Sequence, residues 1–182
     1  MTVVIGTGSV VAYLVCTLLL GKQLTASPSG RGVAGMVVLA LGLHGFVLYQ
    51  DIITEQGLDL GFFNAASLMT WAVALLLLIT TFSRPVLTLG MFVWPLAAIS
   101  VLLTMVFSQR SHAVDTSLGV QTHVVVSIVS YGVLTIAACQ AVALAIQDRS
   151  LRARKTHRFV NLLPPLQTQE SILFQLLEVG FF

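Results

Sequence analysis

The sequence predicts an all-α fold, a polytopic transmembrane helical bundle of five full spans plus an interfacial or partial sixth helix. Three observations predict it. Hydrophobic residues make up 57% of the 182 and charged residues 9%, whereas soluble domains carry roughly 25% charged residues. Five separate stretches each supply the approximately 20 apolar residues that a helix needs to cross hydrocarbon. Lys and Arg favour every second connection between them, the asymmetry that orients membrane proteins. So few charges could not cover a water-soluble fold, so lipid is the solvent for most of the chain.

The first stretch, 3–21, follows directly on Met1 and Thr2, and Lys22 trails the apolar run instead of leading it. That is the reverse of a cleaved signal peptide, so the stretch reads as a spanning helix. The second, 33–53, has Asp51 at its edge and carries Gly35, Gly42 and Gly45, expected to allow close helix packing. The third covers 62–82 and the fourth 86–107, where Pro95 after Trp94 is expected to kink the helix. The fifth covers 121–146. A basic loop over 147–160 follows, with Arg149, Arg152, Arg154, Lys155 and Arg158. Pro164 and Pro165 prevent any helix from continuing through them. A short helix is expected over 168–182, too short to span, leading towards a sixth span. The stop at Gly180-Phe181-Phe182 reads as a C-terminal truncation. The whole chain, 1–182, reads as a single transmembrane domain.

The loop charges set the expected orientation. Lys22 and Arg31 lie between spans one and two, Arg84 between three and four, and the basic cluster after five. The loop after span two carries Asp51, Glu55 and Asp59 and no Lys or Arg. The N-terminus is therefore expected outside and loop 147–160 in the cytoplasm. A basic run lodged between spans is a topology determinant that touches anionic lipid, not a nucleic-acid surface. Cys16 and Cys139 lie in apolar stretches, with no CxxC or CxxCH pattern, so neither a zinc ribbon nor a covalent haem attachment is expected.

Polar groups inside a membrane are functional candidates by default. His44 lies seven residues before Asp51, about 10 Å below the outer boundary at 1.5 Å per residue. His123 lies four residues after Gly119, at about 6 Å. Ser127 and Tyr131 share its helical face at i+4 and i+8, and on span three Asn64, Ser67 and Trp71 are spaced i, i+3, i+7. The outer halves of spans two, three and five are expected to converge on one polar, aromatic pocket. Two readings of the histidines stay open: axial ligation of a haem iron, and hydrogen bonding across the bundle. His112 and His157 read as solvated loop residues. No nucleophile–base pair, phosphate loop or paired buried carboxylate is present, so no enzymatic activity is expected.

The segment from His123 through Ser127, Tyr131 and Gln140 resembles the histidine-bearing helix of the cytochrome c assembly membrane family, which includes CcsA-, CcmC- and HemX-like proteins. The segment Leu163-Pro164-Pro165-Leu166-Gln167-Thr168-Gln169-Glu170 and then Leu173-Phe174 is similar to the YpjD inner-membrane branch. Leu43-His44-Gly45 and Phe62-Phe63-Asn64-Ala65-Ala66-Ser67-Leu68 match in kind. The resemblance implies a bacterial inner (plasma) membrane protein that binds or handles haem at the outer face. It implies His44 and His123 as axial ligands, the iron being the only metal they would hold, with Asn64, Ser67, Trp71, Ser127 and Tyr131 lining the pocket. Expected partners are the lipid bilayer, haem and other membrane proteins. The chain departs from the haem exporters in having only Trp71 and Trp94 and no tryptophan-rich outer loop. A non-enzymatic scaffold or regulatory partner of another membrane protein is the alternative, and a transporter is a third reading.

Overall fold

In the computed structural model the described residues are 2–23, 30–54, 57–82, 87–107, 118–153 and 163–181. Among these described residues five helices are long and apolar enough to cross a membrane: α1 (Thr2–Gln23), α2 (Gly30–Ile52), α3 (Phe62–Thr81), α4 (Gly90–Phe107) and α5 (Leu118–Arg152). A shorter helix, α6 (Leu166–Phe181), follows. The architecture is the all-α multi-pass bundle that composition predicts. Helices dominate because each satisfies its own backbone groups where hydrocarbon offers no partner. His112, His157, Arg154, Lys155 and Arg158 lie outside the described residues.

α1 to α4 form a closed ring: α1 packs on α2, α2 on α3, α3 on α4, and α4 returns to α1. α5 stands outside the ring, mainly against α3, and α6 packs on α5. Small buried residues bring the ring together, with Ala40, Ala74 and Ala97 wholly inaccessible beside Tyr13, Cys16 and Trp94. Large apolar residues also cover the outward faces, as in Val4, Phe62 and Val106. A helix hydrophobic all round belongs in lipid.

One end of the ring is closed by a two-residue antiparallel pairing of β1 (Ile53–Thr54) with β2 (Gly57–Leu58). At this hairpin end Thr2 Oγ1 donates to Gln50 Oε1 at 3.0 Å, and Phe63 stacks on Phe107 with centroids 5.5 Å apart. The start of α1, the end of α2, the start of α3 and the end of α4 therefore share one level.

Several boundaries differ from the sequence expectation. The fourth span opens with a 3₁₀ turn over Leu87–Leu89, and the α-helix proper starts at Gly90 and runs on unbroken through Pro95. α5 extends to Arg152, so 147–152 is helix and not loop; its last turn carries the Asp148–Arg152 ion pair at 2.9 Å. At 35 residues and 1.5 Å per residue it is about 52 Å long, so its ends project past a hydrocarbon layer of about 30 Å. Gly45 and Gly132 do allow close approach: a Cβ on Gly45 would sit 3.3 Å from Trp71 Nε1, and one on Gly132 would sit 3.1 Å from Leu76. Gly35 and Gly42 face open space instead.

α6 is a partial sixth element, packed lengthwise on α5 and not lying apart from the bundle. It begins at Leu166, where Pro165 O accepts from the N–H groups of Thr168 at 2.9 Å and Gln169 at 3.1 Å. A buried glutamine network docks it. Gln140 Nε2 donates to Gln169 Oε1 at 3.1 Å, Gln169 Nε2 donates to Gln147 Oε1, and Gln147 Nε2 donates to Pro164 O at 3.2 Å. From there the helix climbs α5 until Gly180 meets Leu134, and Ile172 joins the core.

Replacing Gln169 by Ala removes the centre of this network and strands buried amide groups of Gln140 and Gln147. The expected loss is about 1–3 kcal/mol, read as a lower thermal midpoint in detergent. An unchanged midpoint would show that α6 is held by apolar packing alone.

Candidate functional site

His44 sits two turns below the hairpin end of α2 and is completely buried. Its two ring nitrogens reach in opposite directions. Nδ1 lies 3.2 Å from the Tyr13 hydroxyl on α1, and Nε2 lies 2.9 Å from the Ser67 hydroxyl on α3. The Tyr13 ring meets the imidazole edge-on, with centroids 5.8 Å apart. Tyr13 and Ser67 are themselves buried. One turn further in, Ser9 Oγ donates to Ala40 O at 3.3 Å and Trp71 Nε1 donates to Leu41 O at 2.9 Å. Thr70 and Ser100 share a hydroxyl contact of 2.5 Å that joins α3 to α4.

Above this layer Asn64 holds the hairpin in place. Its Nδ2 donates to Asp59 O at 3.2 Å and to Asp51 O at 3.4 Å, and the Gly61 N–H donates to Asp59 Oδ1 at 3.0 Å. Asn64 Oδ1 is buried and has no hydrogen-bond partner among the described residues.

A cavity of about 390 Å³ opens beside these layers, between the end of α2, the hairpin, α3 and the start of α5. Gly45, Leu48, Leu68 and Trp71 form its inner wall, and Val120 and Val124 of α5 close its outer side. The lining is almost entirely hydrocarbon and aromatic, since the Trp71 N–H is already spent on Leu41. Such a volume and lining suit a flat or chain-like apolar ligand.

Spans two and three bring His44 against Ser67, while Asn64 bonds to the hairpin and, of these residues, Trp71 alone lines the cavity. The expected convergence does not hold for the fifth span. His123 and Tyr131 are exposed, and Ser127 is half-buried. The cause is helical phase. Gly132 is the face that α5 presses against Val73 and Leu76 of α3. His123 is nine residues away, two and a half turns, and so points in the opposite direction. The sequence reading also missed Tyr13, although a lone phenol inside an apolar span needs a partner. Applying the rule for intramembrane polar groups to span one would have found it.

The fold and site define a multi-pass membrane protein with a polar seam and an apolar cavity at the hairpin end. A family match then places it: the cytochrome C assembly protein family covers residues 33–182, and the chain belongs to that family. No curated protein and no solved structure matches it.

The family association with haem sets a test for the donors. Among the described residues no group of three or more His, Cys, Asp and Glu could hold a metal ion; a histidine serves as a haem ligand through an open ring nitrogen. His44 does not fit, because both nitrogens are bonded and the ring is inaccessible. His123 has an open, exposed ring on the helix whose Val120 and Val124 wall the cavity, and it is not one of the residues that line it.

Gly45→Val would drive a side chain into Trp71 and break its bond to Leu41. In a Trp94→Phe background Trp71 is the single tryptophan. Its fluorescence is expected to red-shift and to be quenched more strongly by acrylamide. Unaltered emission would mean that the cavity wall tolerates the extra bulk.

Proposed function

We propose that this protein handles haem during cytochrome c assembly, at the outer face of a bacterial inner membrane. The observation that carries the reading is the meeting, at one end of a family member, of an apolar cavity with the helix that bears an open histidine. The hairpin end is read as outer because its connection carries Asp51, Glu55 and Asp59, while Lys22, Arg149 and Arg152 mark the other end. In this reading the cavity takes the apolar body of the ligand, with Leu68 and Trp71 on one side. His123 would ligate the iron from beside the cavity, with Ser127 and Tyr131 following it one and two turns along the same helix. Asn64 Oδ1 is a spare acceptor at the same end of the bundle. The YpjD-like character of the segment from Leu163 to Phe174 fits the same reading. No residue is assigned a catalytic role.

The test is titration of the detergent-purified protein with haem, followed at the Soret band. Wild type is expected to bind with a shifted band. His123→Ala is expected to weaken binding by about tenfold or more, which is about 1.4 kcal/mol, and Val124→Trp, which fills the cavity, should do likewise. A wild-type protein that gives no Soret shift under haem-replete conditions would remove the proposal.

One observation favours a second reading, that of a scaffold or regulatory partner. The exposed His123 and Tyr131 place hydrogen-bonding groups on an outward face of a spanning helix, where a polar residue normally meets another helix. Copurification of a membrane partner that is lost in Tyr131→Leu, with no haem bound by wild type, would select it.

A further inference from the structure

The family resemblance gives His44 and His123 the same task, yet the structure gives them opposite surroundings. We infer that His44 is the tie that registers α1, α2 and α3, and that it is not a ligand of a haem bound to this chain. The second half rests on the haem reading above; the first half stands without it.

A neutral imidazole has one donor and one acceptor nitrogen. Tyr13 and Ser67 take both, so one hydroxyl donates to the ring and the other accepts from it. Iron requires the lone pair of an unprotonated nitrogen. In His44 that lone pair already receives a hydroxyl proton, and releasing it would strand a buried hydroxyl. The three side chains are all buried, on three different helices. No strong hydrophobic force drives helices together within lipid, so polar ties and close packing set their register. The Ser9–Ala40 and Trp71–Leu41 bonds lie one turn from His44 and join the same three helices. Turning the ring towards the cavity would therefore disturb the whole layer and not one rotamer.

The experiment has two arms on the full chain in detergent. Without haem, thermal midpoints are measured for Tyr13→Phe, Ser67→Ala, His44→Leu and His44→Gln, and for both hydroxyl variants in the His44→Leu background. Tyr13→Phe and Ser67→Ala are each expected to lower the midpoint, and to add little once His44 is Leu, because the tie acts as a unit. His44→Gln, with its own donor and acceptor, is expected to recover part of what His44→Leu loses. With haem, His44→Gln is expected to keep the wild-type Soret position and an affinity within about twofold, whereas losing a true ligand costs about tenfold or more. Hydroxyl variants that leave the midpoint unchanged would overturn the tie. A folded His44→Gln protein with a displaced Soret band or tenfold weaker binding would show that His44 is a ligand and overturn its exclusion. If wild type binds no haem, the haem reading and the assignment to His123 both fail, while the first arm still decides the tie.

Discussion

Hydrocarbon offers no hydrogen bonds, and the rest of this structure follows from that constraint. Backbone groups are satisfied within helices, and the polar side chains that enter the bundle must find partners there. They do so in layers. Ser9, Tyr13, His44, Ser67 and Trp71 cross-link α1, α2 and α3, while Thr70 and Ser100 add α4. At the far end Gln140, Gln147 and Gln169 do the same for α5 and α6. Each bond contributes modestly, about 0.6 kcal/mol on average in membrane proteins. Their importance is directional: apolar faces of Leu and Val can slide past one another in lipid, and hydroxyl–imidazole and amide–amide pairs cannot.

The same constraint explains the asymmetry of the bundle. The ring of α1 to α4 keeps Ser9, Tyr13, His44, Ser67 and Ser100 inside and bonded. α5 uses its inward face for Gly132, Ile136, Gln140 and Ala143, which are buried against α3 and α6. His123, Ser127 and Tyr131 must then follow the helical phase to another face. The packing that makes α5 part of the bundle is what turns its histidine outward. The apolar cavity lies at the seam between the two arrangements, walled on one side by the bonded ring and on the other by Val120 and Val124.

Much of the fold was legible because it depends on composition and length. Five apolar stretches of spanning length became five helices, and Pro164 and Pro165 separated the fifth from the sixth. What was not legible depends on phase and partners. Depth along a span can be counted in residues, and the structure sets His44 two turns below the hairpin end of α2, bonded to Ser67. Direction around a helix needs to be known from what that helix packs on, and nothing before α5 announces that Gly132 is its contact face. The end of α5 was misjudged because Gln147 is polar in sequence but buried by α6 in space. Gly35 and Gly42 share a residue type with Gly45, yet only Gly45 has an indole against it.

These limits bear on how a family match is used. The match over 33–182 fixes the class of protein, because class depends on the pattern of the whole chain. It does not transfer a role to each histidine, because a role depends on whether a nitrogen is open. Tyr13 lies outside the matched region, in α1, and it holds one nitrogen of His44. A helix beyond the reach of the family pattern thus decides what the histidine within it can do. The chemistry of this end of the bundle is therefore set jointly by α1, which closes His44, and by the packing of α5, which leaves His123 open.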